Sequence, residues 1–206
     1  MTATASPRRE ELLELAYGYA LEHGVADVSL RPLAAAVGSS PRVLLFLFGS
    51  KAGLVQALLA RARQDELALL ERARAVAAAT GTDAERRDLA AVAAELWSWL
   101  AADEHRALLK LWVEGYARSL IDSDGPWAGF AATTVEDWLD LLGEVSADAA
   151  ERTLILAVLR GALLDLLATG ELERVSAAVN RQLALMRGAP RSGAGRSKAR
   201  QPTGQR

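Results

Sequence analysis

Apolar residues recur at three- and four-residue steps along most of this chain, and the interruptions fall at Gly, Pro, Ser and Asp. After a loose arm at residues 1–6, the positions Leu12, Leu13, Ala16, Tyr17, Ala20 and His23 predict a first helix from Pro7 to His23, closed by Gly24. Ser29 then offers an N-cap to a short second helix that carries Leu30, Leu33, Ala34 and Val37 on one face, with Pro32 in its first turn. Gly38 suits the chain reversal. Ser40 and Pro41 open a third helix, which Leu44 and Phe48 anchor inward. Two short helices joined by a glycine-containing turn form a helix-turn-helix pattern. From Ser50 the apolar steps continue through Leu54, Leu58, Ala62, Leu69, Ala73 and Val76 to a break at Thr80-Gly81, which predicts one long connecting helix.

Beyond that break, Thr82-Asp83-Ala84-Glu85 reads as a capping box for a helix with Leu89, Val92, Leu96, Trp97, Trp99 and Leu100. Asp103 and Glu104 interrupt it. A further helix from about Glu104 to Ile121 carries Leu108, Leu109, Leu111, Trp112 and Tyr116, and Asp122 to Pro126 is a loop signal. Trp127, Phe130, Val135, Trp138, Leu139 and Leu142 mark the next helix. Ser146 is the expected cap of a helix from Ala147 to Ala168, and a last helix spans Glu171 to Arg187. Ala157, Val158, Gly161, Ala162 and Asp165, with Leu172, Val175, Val179 and Leu183, are the expected self-association surface, two helices from each subunit forming a bundle. The final GAPRSGAGRSKARQPTGQR has five bases, no acid and nothing apolar enough to pack, so it reads as a disordered tail.

Composition narrows the class. The 206 residues are 51% hydrophobic, largely Ala and Leu, and only 5% aromatic, which favours an all-helical fold. There is no cysteine, so disulfides, thiolate metal sites and cysteine nucleophiles are excluded. The most apolar late run, Leu154 to Leu167, is broken by Arg160 and Asp165 and falls short of a membrane span; a soluble, cytoplasmic protein is expected. The net charge of −2 is not that of a protein that binds nucleic acid by bulk charge. In residues 1–51 the acids Glu10, Glu11, Glu14, Glu22 and Asp27 balance Arg8, Arg9, Arg31, Arg42 and Lys51. Affinity for DNA must therefore come from where the bases stand.

Catalytic patterns are lacking: no paired-histidine metal motif, no phosphate-cradling glycine loop and no nucleophile elbow. No enzyme, metal or cofactor is expected. In the third helix, with Leu44 and Phe48 inward, the residues Ser39, Ser40, Arg42, Val43 and Phe46 are left for a DNA groove. Arg42 suits a guanine edge and Val43 a thymine methyl. The bland alternative is a buried helix from Val43 to Phe48.

The stretch SLRPLAAAVGSSPRVLLFLFGSKAGL, with the helix before it, resembles the DNA-binding head of the TetR-type transcriptional regulators through Gly24, Ser29, Arg31, Leu33, Ala34, Val37, Gly38, Ser40, Leu44, Phe48, Ser50, Lys51 and Leu54. The resemblance implies a homodimeric repressor whose three-helix head binds a palindromic operator and whose helical body binds a small molecule that releases it. Leu45 and Leu47 stand where that pattern usually has phosphate-contacting Tyr or His, so backbone anchoring leans on Ser29, Arg31, Arg42 and Lys51. The domains expected are a helix-turn-helix head at 1–51, a C-terminal helical ligand-binding and dimerisation domain at 52–187, and a basic tail at 188–206. The run LLKLWVEGYARSL and the later VEDWLDLL are similar to ligand-domain segments of the same family. They imply a pocket near Trp112, Tyr116 and Trp138 but name no ligand; from the residues themselves, a cavity for a small apolar effector would take its polar groups from Glu114, Tyr116, His105 and Arg160, with Trp97 as a further candidate. The rival reading is a helical small-molecule-binding or scaffold protein whose head has lost DNA binding.

Overall fold

Local caps set most of the helix ends. The computed structural model describes residues 6–24, 29–79 and 89–188, and among them there are nine α-helices and no strand. α1 spans Pro7–His23; Ser6 belongs to it rather than to a loose arm, because its hydroxyl accepts from Arg9 N. α2 (Leu30–Ala36) follows Ser29, whose side chain makes no capping bond, contrary to expectation. α3 (Pro41–Phe48) is capped by Ser40, with Pro41 at its first position. α4 (Lys51–Ala79) is the long connecting helix, started by Ser50 accepting from Gly53 N at 2.9 Å. Gly53 is required here: a Cβ on it would stand 2.2 Å from the Phe48 carbonyl oxygen, so α3 ends directly against the first turn of α4.

α5 (Leu89–Leu100) leads through a 3₁₀ turn at Asp103–His105 into α6 (Arg106–Ile121). α7 (Phe130–Gly143) begins later than the apolar pattern suggested. Gly129 takes a left-handed conformation (φ 77°), so Trp127 sits before the helix and is buried there. α8 (Ala149–Thr169) is capped not by Ser146 but by Asp148, which accepts from Ala150 N and Glu151 N; Ser146 instead caps back onto Asp148 N and donates to Glu151. α9 (Leu172–Gly188) closes the described chain. The capping box at Thr82–Glu85 and the tail beyond Gly188 lie outside the described residues.

Two apolar cores result. The first joins Leu12, Ala16, Tyr17, Leu33, Ala34, Leu44 and Phe48 of the head to Leu54, Leu58 and Ala62 of α4, and takes in Leu111 and Trp127 from the body. The second lies within the body, where Leu96, Leu141, Leu142, Ile155, Leu159 and Leu163 are buried to within 1%. α4 contributes to both cores. Burial of this kind is the main stabilising term, about 1.5–3 kcal/mol for each large aliphatic side chain.

One expected surface is corrected. Val175, Val179 and Leu183 of α9 are no more than 2% exposed and pack into the subunit's own core, so they are not free for a partner. Asp165 is likewise engaged within the chain, accepting from Arg174 Nη1 at 2.8 Å and Nη2 at 2.6 Å. The small-residue face of α8 does remain outside, with Ala157 and Gly161 exposed beside Leu154 and Leu164.

Candidate DNA interface and interior pocket

The head holds α3 by its inner face and leaves the outer one bare. Leu44 is fully buried and Phe48 nearly so, one turn apart. On the other side Val43 and Leu45 are each 39% exposed and Phe46 is 85% exposed, flanked by exposed Arg42. The buried-helix alternative therefore fails for Val43, Leu45 and Phe46. Ser40 is exposed and its hydroxyl is occupied as the cap, accepting from Val43 N at 3.3 Å, while Ser39 is half-buried. Arg31 and Ser29 lie exposed at the start of α2, and Lys51 lies exposed at the start of α4. Ser29, Arg31, Ser40, Arg42, Val43, Phe46 and Lys51 thus all reach solvent from three helix N-termini and the outer side of α3. Leu45 joins that surface, which the sequence reading treated only as a missing phosphate contact. Arg9 lies over the Phe48 ring at 4.9 Å, and Arg8 pairs with Glu11.

α4 is gripped on both sides. Toward the head, Arg61 Nε donates to Glu14 of α1 at 2.7 Å, and Tyr17 Oη donates to Asp65 at 2.8 Å. Burial, then the bond to Asp65, hold the Tyr17 phenol far above its ordinary pKa, so it stays a donor. Toward the body, Arg63 donates to both oxygens of Asp137 on α7 at 3.0 Å, and Glu66 Oε1 accepts from Trp138 Nε1 at 2.6 Å.

The body's interior brings together part of the expected pocket. Trp112 and Trp138 wall a small central void, and with Arg160 they line a second one beside it. Tyr116 is tilted against Trp112 at 5.7 Å, and Arg160 lies over the Tyr116 ring at 5.1 Å with Nη1 donating to its hydroxyl at 3.3 Å. His105 is not a wall: it stacks on Trp99 at 3.8 Å, and Trp99 lines the void. Trp97 faces away, donating to Ser176 of α9 at 3.1 Å. Glu114 lies against the end of α1, with Oε2 3.1 Å from where a Cβ on Gly24 would be.

Sequence reasoning missed Glu66. It follows Ala62 by four residues and precedes Leu69 by three, which places it on the buried stripe of α4, and that register was the available signal. Burial raises its pKa to about 7, an effect the Trp138 bond opposes and the nearby Asp137 adds to. Among the described residues no group of acids and histidines is arranged to hold a metal, and no single helix is long and apolar enough to cross a membrane.

No family model and no curated protein sequence matches the chain. Solved structures do. The multidrug binding protein EbrR, solved with imidazole, is 25% identical with a TM-score of 0.63, over 86% of this chain and 90% of that one. A Rhodococcus sp. protein assigned to the TetR-family transcriptional regulators is 20% identical with a TM-score of 0.57, over 88% of this chain and 97% of that one. The fatty acid degradation regulator FadR from Bacillus halodurans is 17% identical with a TM-score of 0.59, over 88% and 96%. With these likenesses each covering more than four-fifths of this chain, the fold of this protein is that of the TetR-family transcriptional regulators.

Proposed function

We propose that the protein is a DNA-binding transcriptional regulator: a homodimer that represses from a palindromic operator and is released by a small molecule held in its body. The observation that carries this reading is α3, whose Phe46 is 85% exposed beside exposed Arg42, Val43 and Leu45. A well-capped helix that leaves such a ring in water while burying Leu44 and Phe48 is held for an outside partner. Its length and basic residue suit the major groove, where Arg42 pairs with a guanine edge and the apolar side chains meet thymine methyls. Arg31, Lys51 and the amide-rich starts of α2 and α4 suit flanking phosphates.

For the body, support comes from the likeness to EbrR, which has been solved with imidazole and with proflavin, and from the cluster of Trp112, Tyr116, Trp138 and Arg160. The transmission runs along α4. Its head contacts at Arg61 and Asp65 interleave with its body contacts at Arg63 and Glu66, so a ligand that moves α7 drags the helix that carries α1. In a dimer that motion changes the separation of two heads. The dimer surface is the outer stripe of α8, where Leu154, Ala157, Gly161, Leu164 and Ala168 are exposed at alternating three- and four-residue steps. Such a protein has no catalytic role and acts in the cytoplasm.

Selection of duplexes from a randomised pool tests this directly. The expected product is an inverted repeat with half-sites about 34–36 Å apart, or a multiple of that. Enrichment of no sequence would favour the rival reading, a ligand-binding or scaffold protein with a retired head, which the exposed Leu45 supports because it offers phosphate no hydrogen bond.

A further inference from the structure

The body holds a carboxylate with one oxygen left open. Glu66 is 5% exposed; Oε1 takes the Trp138 indole, and Oε2, fully removed from solvent, makes no well-formed hydrogen bond among the described residues, although the Trp112 indole lies close enough to favour its charged form. The void it faces is walled by Trp99, Trp112 and Trp138 with leucines between them. A buried carboxylate that is only half paired is costly, and the surrounding indole faces are electron-rich. These two facts favour the same kind of occupant.

We infer that Glu66, Trp99, Trp112 and Trp138 form a binding site for a flat, lipophilic organic cation, with Oε2 accepting from its N–H and the indoles packing its ring system. The inference rests on the proposed ligand-binding role of the body and specifies its chemistry: the effector is cationic rather than merely apolar. An anion is repelled by Glu66 and by the indole faces, and a neutral hydrocarbon leaves the carboxylate unpaired.

The neighbouring charges leave that role to Glu66. Arg63, on the same helix, donates from Nε and Nη2 to the two carboxylate oxygens of Asp137 of α7, at 3.0 Å for each contact. Arg160 of α8 lies over Tyr116 at 5.1 Å and Trp112 at 5.9 Å and lines the neighbouring void behind Trp112 and Trp138; its Nε and Nη2 are unpaired among the described residues, and its charge attracts that of Glu66 across the shared walls without a direct ion pair. Among the described residues no other charged side chain lines the void that Glu66 faces. Free space there is ≈ 20 Å³, room for about one water, so a larger occupant enters by displacing a wall. Trp99 is the least enclosed of the three indole walls: it is half-buried, its Nε1 has no partner among the described residues, and its ring leans on His105 at the short 3₁₀ turn.

The test uses the full chain and two dyes of one shape, read by quenching of tryptophan fluorescence. At pH 8 proflavin is a cation, whereas acridine, the same three rings without the amino groups, is neutral. The parent protein should bind proflavin at least tenfold more tightly than acridine. Glu66→Gln, which keeps the acceptor for Trp138, should erase that preference while leaving acridine binding unchanged or better. Lowering the pH from 8 to 6 should weaken proflavin binding roughly tenfold in the parent and not in Glu66→Gln, because the carboxyl titrates near 7. A preference for proflavin that survives Glu66→Gln overturns the cation site. Equal binding of both dyes by the parent overturns it too, while leaving a ligand-binding body intact. Binding of neither dye rejects the cation site, and a panel of neutral hydrophobes that also fails to quench then rejects the ligand-binding role as well.

Discussion

Two regions of this molecule break the ordinary pattern of burial in opposite ways. In the head, α3 exposes Val43, Leu45 and Phe46 to water although a well-formed core lies directly beneath. In the body, Glu66, Trp99, Trp112 and Arg160 carry polar atoms into an apolar interior without pairing them all. Each departure costs free energy in the isolated chain, the first through hydration of apolar area and the second through desolvation of polar groups. Each would be relieved by a partner of the matching kind. An apolar ridge with a guanidinium beside it fits the edge of a duplex, and an enclosed half-paired carboxylate fits a cation that brings its own apolar body. On the proposed reading the macromolecular partner sits outside and the small one inside, with α4 as the element common to both.

The comparison can be broken first at its supports. Leu44 is fully buried beneath the exposed ridge, so Leu44→Ala should cost about 2–5 kcal/mol of head stability by chemical denaturation. DNA binding should go with it, while dye binding in the body persists. Loss of both together would show that the two regions do not act as separable units.

A somewhat smaller effect concerns pH. Glu66 titrates at about 7 in the folded protein against an ordinary value of 4.5, so the folded state holds a proton that the unfolded chain has already released. The stability associated with the neutral carboxyl is complete below about 4.5 and is lost as the pH rises through 7. The loss should be about 3 kcal/mol, and Glu66→Gln should remove this part of the profile and be more stable than the parent at pH 8. A parent profile that is flat between pH 5 and 8 would mean that the carboxylate finds water or a partner inside.

The smallest effect sharpens the outer surface. Arg42→Ala should lower discrimination at one operator position by about 1–3 kcal/mol, measured by competition between matched and singly mismatched duplexes. An equal loss on every sequence would assign Arg42 to the phosphate backbone.

Much of this was legible in the residues. Ser40-Pro41 and Gly24 marked helix ends because caps and left-handed positions accept so few residue types, and α4 emerged almost entire from its apolar steps. What was lost has physical reasons. Val175, Val179 and Leu183 form a stripe that fits a subunit's own core and a partner's equally well, and only the packing of α9 on α5 and α8 decides between them. Trp97 and Trp99 are two residues apart, so on a helix they point to different sides, one to Ser176 and the other to the void. Trp127 carries the helical apolar rhythm, but Gly129 delays the start of α7 and puts the ring in the head's core instead. Glu66 was overlooked because a carboxylate on a charged helix reads as solvated, and its register with Ala62 and Leu69 becomes telling only when the stripe is seen to be buried.

The central claim is that α3 and the helix starts around it are held ready for duplex DNA, and a salt titration of the full chain tests it most directly. Anisotropy of a labelled duplex enriched from the random pool should show saturable binding that weakens linearly in log–log form with salt, and Lys51→Ala should reduce that slope by about one unit. Absence of saturable binding to any duplex at low ionic strength, or a slope that Lys51→Ala and Arg31→Ala leave untouched, would contradict it.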